Sequence, residues 1–190
     1  MKIELTSPMQ KAMTPELMQR IERALKEFPE LEPYPLTIGL VMYSDVHGNA
    51  DTRNMVIRLN TRARSGMSYF TIAHELTHLL QKPGLGTVPY GEIQCDIYAL
   101  ARSSLFTDDM PTYLPGLSCK KREWIHHAPA VRDLCIEAIE VRKLRRTYIS
   151  WLSQAIDEYF GRRSSSTYRS HILSDDPVLP GLKLNFKEIL

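Results

Sequence analysis

The sequence is poor in cysteine, in charge of one sign and in long apolar runs, and each shortage excludes something. Its three cysteines, Cys95, Cys119 and Cys135, are odd in number and widely spaced. They do not form a disulfide framework and fit reduced thiols in a cytoplasmic protein. The chain carries 24 Lys and Arg against 22 Asp and Glu, a formal net charge of +2. That balance offers no general attraction for nucleic acid or an anionic membrane. No apolar run approaches the ~20 residues of a membrane-spanning helix, and residues 1–8 have no apolar segment of the secretory kind. There is no internal repeat. The remaining composition, 43% hydrophobic and 24% charged over 190 residues, is that of a globular domain able to bury a real core.

Thr14-Pro15-Glu16 starts a helix: a hydroxyl cap, proline at the first helical position, then an acid near the positive end of the dipole. Leu17, Ile21, Ala24, Leu25 and Phe28 keep the helical period until Pro29. Residues 36–43 read as a buried strand, 45–52 as a polar connection and 55–59 as a second strand. The short connection predicts an antiparallel hairpin. Helices are expected over 69–80, over about 91–105 and, as one long element, over 129–160, closed by Gly161. Residues 162–190, with serine, proline and glycine breaks, read as an extended tail.

The strongest signal is His74-Glu75-Leu76-Thr77-His78. Histidines at i and i+4 share one helix face, so their imidazoles can converge on one Zn²⁺. Glu75, beside the first of them, can take a proton from a water activated by that ion. Three fixed positions of this kind occur by chance in only ~1% of chains of this size at average residue usage. The alternative is an amphipathic helix with two surface histidines. Against it, Ile72, Leu76, Leu79 and Leu80 form a stripe for burial, while Phe70, His74, Thr77, His78 and Gln81 form another face to line a cleft. A catalytic zinc takes three protein ligands and leaves a fourth position for water. Glu92 suits the third, with Asp96 one turn later on the same helix face to accept a histidine N–H and set its tautomer. Cys95 neighbours Asp96, but successive helical residues diverge by ~100°, so it is expected to be a buried thiol rather than a ligand.

His74–His78 followed by Glu92 and Asp96 resembles the gluzincin metallopeptidases. The order of helix, small sheet, histidine helix and glutamate helix is similar to that of minigluzincins and of the ImmA/IrrE metallopeptidases. The resemblance spans roughly residues 14–105. It implies an α+β zincin-like fold and one Zn²⁺ per chain on His74, His78 and Glu92, with Asp96 supporting a histidine. It also implies peptide-bond hydrolysis with Glu75 as general base. Cys95 stands where an alanine is expected before the Asp, the loop from His78 to Glu92 is short, and residues beyond 120 lie outside the resemblance. The group usually adds a Tyr or His that stabilises the oxyanion, for which Tyr98, Tyr113, His126, His127 and Tyr148 are candidates. Substrate, a protein or peptide, is expected along a sheet edge at 55–59.

The domain plan is then a metallopeptidase core at 1–121, a helical extension packed on it at 122–161, and the tail at 162–190. Latency in minigluzincins implies that the tail can lie across the cleft, with His171 or Asp175 at the open zinc position; a passive tail is the other reading. Two further functions stay open. One is a regulatory or binding protein of ImmA/IrrE type that keeps zinc but cleaves little, against which Glu75 argues. The other is a DNA-associated protease of SprT type, which needs His126 or His127 at the metal. The basic run Arg142-Lys143-Leu144-Arg145-Arg146 is the chief nucleic-acid candidate, and a solvated helix face explains it better.

Overall fold

The computed structural model describes residues 2–43 and 45–162, the side chain of Ser65 excepted. The expected inhibitory tail therefore lies outside the described residues, apart from Arg162. The fold is α+β. Four short strands, β1 (Ile3–Leu5), β2 (Leu36–Leu40), β3 (Gly48–Asp51) and β4 (Val56–Leu59), form one mixed sheet. Six α-helices accompany them among the described residues: α1 (Ser7–Ala12), α2 (Pro15–Leu25), α3 (Tyr69–Leu79), α4 (Glu92–Arg102), α5 (Trp124–Leu144) and α6 (Tyr148–Tyr159). None of these helices is long and apolar enough to cross a membrane.

The sheet order is β1-β2-β4-β3, with β1/β2 and β2/β4 parallel and β3/β4 antiparallel. The expected antiparallel hairpin of the two apolar strands is therefore wrong. They lie side by side but parallel, because the polar connection between them is itself a strand. Gly48-Asn49-Ala50-Asp51 has little intrinsic strand propensity. It is extended because β4 offers it a ladder, and Asp51 then turns the chain by accepting from the N–H groups of Arg53 (3.1 Å) and Asn54 (3.2 Å). The order also makes β1 and β3 the edges and β4 an interior strand, so residues 55–59 cannot be the substrate-binding edge. β1, a three-residue strand, carried no pattern long enough to predict it.

The helix at Thr14 forms as its caps dictate: the Thr14 hydroxyl accepts from Leu17 N–H at 3.2 Å. Leu17, Ile21, Ala24 and Leu25 are buried against the core. The long helix expected at 129–160 is two helices. Arg145 takes an extended conformation (φ −153°, ψ 151°) and ends α5, after which α6 folds back and packs on it. The basic run thus sits at a helix C-terminus, where Arg142 and Lys143 oppose the negative end of the dipole. α5 in turn packs on α4. One apolar core continues from Met9, Phe28, Ile57 and Leu76 into Val131, Leu152 and Ile156.

α3 lies in the middle, touching α2, α4, β3 and β4. Its N-terminus is capped twice: Ser68 Oγ accepts from Thr71 N–H (3.1 Å), and both Asp108 oxygens accept from Tyr69 and Phe70 N–H (2.9 Å each). An acid from a distant loop therefore holds the start of the histidine helix, satisfying two donors that a helix cannot satisfy itself. Asp108→Ala is expected to destabilise the protein by about 1–2 kcal/mol, the scale of a lost cap. Chemical denaturation measures it; an unchanged midpoint would show that Ser68 suffices.

Candidate metal centre

The site is built from α3, the start of α4, the chain around β3 and the segment 109–113. His74 and Glu75 are buried on α3, while His78, a turn later, is half-buried at the cleft wall. The ring centroids of His74 and His78 are 4.9 Å apart. Glu92, first residue of α4, reaches across so that its Oε2 lies 3.0 Å from His74 Nε2 and 3.2 Å from His78 Nε2. Asp96, fully buried, places Oδ1 2.7 Å from His74 Nδ1. Its Oδ2 accepts from the backbone N–H of Tyr113 at 2.6 Å.

These contacts decide what His74 can do. A carboxylate only accepts, so Nδ1 carries the proton that binds Asp96, and the neutral ring turns the bare lone pair of Nε2 toward Glu92. Burial disfavours the charged imidazolium, but the hydrogen bond and charge of Asp96, with the charge of Glu75 and the hydrogen bond to Glu92, outweigh it and raise the His74 pKa. In the absence of a cation, a second proton on Nε2 can bridge to Glu92; a metal ion replaces that proton. Two ring nitrogens and a carboxylate oxygen converging at 3.0–3.2 Å form an electron-rich pocket suited to such an ion. Glu75 fits the same reading. Its Oε2 is buried without a hydrogen-bond partner, and burial first, with the charge of Glu92 adding and that of His74 opposing, pushes its pKa up to about 7. A nearby dication would favour the carboxylate again.

Cys95 is both buried, as expected, and nearer the site than its place on the helix suggested. Its Sγ lies 3.3 Å from His78 Nδ1. His74, His78 and Cys95 each offer a ligand atom within 4.8 Å of the others, a group able to hold a metal ion. The thiol faces Nδ1 of His78, however, while Glu92 faces Nε2. Burial, then the charges of Glu92, Glu75 and Asp96, holds the thiol far above its ordinary pKa, which disfavours the thiolate that binds metals.

His74, Glu75, His78 and Glu92 open on a cleft of about 660 Å³, lined also by His47, Gly48, Asn49, Tyr90, Met110 and Tyr113. Among the five oxyanion candidates only Tyr113 lies there, its ring stacked on His74 at 5.7 Å. Tyr98 accepts from Arg142 of α5, and Tyr148, the first residue of α6, is buried. His126 is exposed, and His127 pairs with the Tyr159 hydroxyl at 3.0 Å. Neither histidine lines the cleft, so the arrangement required of a SprT-type site is not formed. Thr77, expected at the cleft, is fully buried and donates to Ala73 O. Sequence reasoning missed His47, Gly48 and Tyr90, which sit in loops or in the unforeseen strand.

Gly48 illustrates the cost of that omission. A Cβ at this position would lie 2.6 Å from Glu75 Oε1 and 2.8 Å from its Cγ. The edge strand can therefore cover the glutamate only with glycine.

The fold and site together define an α+β domain with one buried and one half-buried histidine and nearby carboxylate and thiol donors, a group able to hold a metal ion. Residues 38–101, from β2 to the end of α4, match a peptidase family model described as the IrrE N-terminal-like domain. The match likens this part of the chain to metallopeptidases of the ImmA/IrrE type. No curated protein and no solved structure matches the chain.

Two changes probe this geometry. Gly48→Ala is expected to displace the Glu75 carboxylate and lower any hydrolytic rate at least tenfold while leaving metal affinity within about threefold, since Glu75 is not placed among the converging donors. Equal rates would mean that the strand shifts without disturbing Glu75. Asp96→Ala is expected to weaken metal binding ~10–100-fold through loss of the His74 tautomer, measured by competition with a chromophoric chelator. A change below twofold would show that packing alone orients the ring.

Proposed function

We propose that the chain is a zinc-dependent peptidase, with His74, His78 and Glu92 holding the ion and Glu75 as general base. The observation that carries this reading is the convergence of His74 Nε2 and His78 Nε2 on one Glu92 oxygen beside an unpartnered buried glutamate. When bound, zinc supplies Lewis acidity to a water and to a peptide carbonyl. Two histidines and a glutamate leave a coordination position open, as a catalytic rather than a structural site requires.

The chain's own residues supply the rest. Glu75 takes a proton from water and passes it to the leaving amine, a task suited to a carboxyl whose burial brings its pKa toward neutrality. Tyr113, held at the cleft by the bond from its backbone N–H to Asp96, can donate its hydroxyl proton toward the developing oxyanion. β3 is the exposed edge beside the metal-facing side chains, so a substrate segment adds to it as an extended strand. The cleft reaches the Asp109–Lys121 ion pair (2.8 Å), which also lines a second cavity of about 620 Å³ bearing Glu16, Arg20 and Arg64. A polypeptide longer than the residues at the scissile bond would run toward that charged cavity.

Glu75→Gln is expected to retain zinc and fold but lose hydrolysis of a generic casein or peptide substrate by at least a hundredfold, because an amide cannot accept the proton. Activity equal to wild type would assign the cleavage to another group. Glu92→Ala is expected to lose both zinc affinity and activity.

A second reading, with Cys95 as the third ligand, follows from its 3.3 Å approach to His78. Cobalt(II) substitution separates the two. The glutamate site is expected to lack the intense thiolate charge-transfer band, and Cys95→Ser to leave affinity within about threefold; the strong band would move the third ligand to Cys95.

A further inference from the structure

Gln81, at the end of the histidine helix, makes three polar contacts that converge on the metal ligands. Its Oε1 lies 3.0 Å from His78 Nδ1. Its Nε2 donates to Pro89 O at 2.6 Å and to Gly91 O at 3.0 Å. Gly91 precedes Glu92 directly and adopts φ +131°, a conformation open to few other residues.

The orientation of the Gln81 amide is not arbitrary. Both partners of its nitrogen are backbone carbonyls, which only accept, so the NH₂ group must face them and the amide oxygen must face His78. An amide oxygen accepts, so His78 Nδ1 carries a proton; Nε2 is then the nitrogen that turns its lone pair to a bound ion, and without one it can share a second proton with Glu92, as His74 does. Cys95 cannot set the opposite tautomer. A thiol proton given to Nδ1 would place two lone pairs, on Nδ1 and Gln81 Oε1, against each other at 3.0 Å.

The same side chain therefore acts at both ends of the 82–91 loop. One end is the ring that presents Nε2; the other is the backbone that launches α4 and with it Glu92. We infer that Gln81 is a positioning residue for the metal site, setting the tautomer of His78 and anchoring the loop that delivers Glu92. His74 has its carboxylate, Asp96, for the first of these tasks; His78 has a neutral amide, which orients the ring without adding a further negative charge beside Glu92.

This role rests on His74, His78 and Glu92 holding a metal, and the experiment separates the two. Zinc affinity is measured by chelator competition for the wild type, Gln81→Leu and Gln81→Glu, alongside hydrogen exchange over residues 82–91. Histidine ¹⁵N chemical shifts of the zinc-loaded wild type are recorded to show which ring nitrogen of His78 carries the proton. Gln81→Leu removes all three bonds, and its zinc affinity is expected to fall ~10–100-fold, with faster exchange over 82–91. Gln81→Glu keeps an acceptor for His78 but turns carboxylate oxygen toward the carbonyls of Pro89 and Gly91. It is expected to lose loop protection like Gln81→Leu, yet to lose less zinc affinity. The wild-type shifts are expected to show the proton of His78 on Nδ1.

A folded Gln81→Leu protein binding zinc within twofold of wild type overturns the role of Gln81 alone. So does a His78 proton found on Nε2, an observation that needs no variant and survives any failure of Gln81→Leu to fold. A wild-type chain that takes up no zinc overturns the metal reading itself.

Discussion

Asp96 is a fully buried carboxylate, and such a group persists in a folded protein only when its oxygens are satisfied. One oxygen meets His74 Nδ1 and the other the backbone N–H of Tyr113. Through these two bonds a single side chain on α4 fixes a ring on α3 and the segment that forms the far wall of the cleft. The direction of His74 Nε2, the placement of Tyr113 and the separation of α3 from α4 all follow from it. Removing the carboxylate would leave a buried ring nitrogen without its acceptor and free the Tyr113 N–H as well, and the first of these is costlier than losing the same bond in water.

Around that point the protein surrounds reactive groups with apolar packing. α3 is buried on nearly every side, with Ile72, Leu76 and Leu79 fully enclosed and His74 and Glu75 exposed only at the cleft floor. The low local dielectric strengthens the bond between Asp96 and His74 and raises the pKa of Glu75. The edge strand completes the enclosure, lying so close to Glu75 that only glycine fits at residue 48. α5 and α6 add no group to the cleft. Their contribution is mechanical: α5 backs α4, and α6 backs α5, so Glu92, Cys95 and Asp96 stand on a helix braced from behind.

Periodicity made α2, α3, α4 and the apolar strands legible because each buries one stripe or face, and burial leaves its period in the residues; α1, six residues long, is too short to show one. Thr14-Pro15-Glu16 announced α2 through capping chemistry that is local to the chain. β1 and β3 were not legible for the same reason in reverse. Their residues carry no pattern, and pairing with β2 and β4 makes them strands. The break between α5 and α6 falls among arginines and a threonine, with no glycine or proline to mark it. The parallel relation of β2 and β4 depended on where the intervening strand went, which no window of sequence contains.

The sequence by itself determined that two histidines share a helix face with a glutamate between them, and that Glu92 and Asp96 share another, because helical geometry is the same in every context. Only the tertiary structure decided that these faces meet. The distance from Glu92 to both imidazoles, the approach of Cys95 to His78 and the selection of Tyr113 among five aromatic candidates arise between elements far apart in the chain. Such contacts depend on side-chain packing and on the course of loops, and neither leaves a period in the sequence.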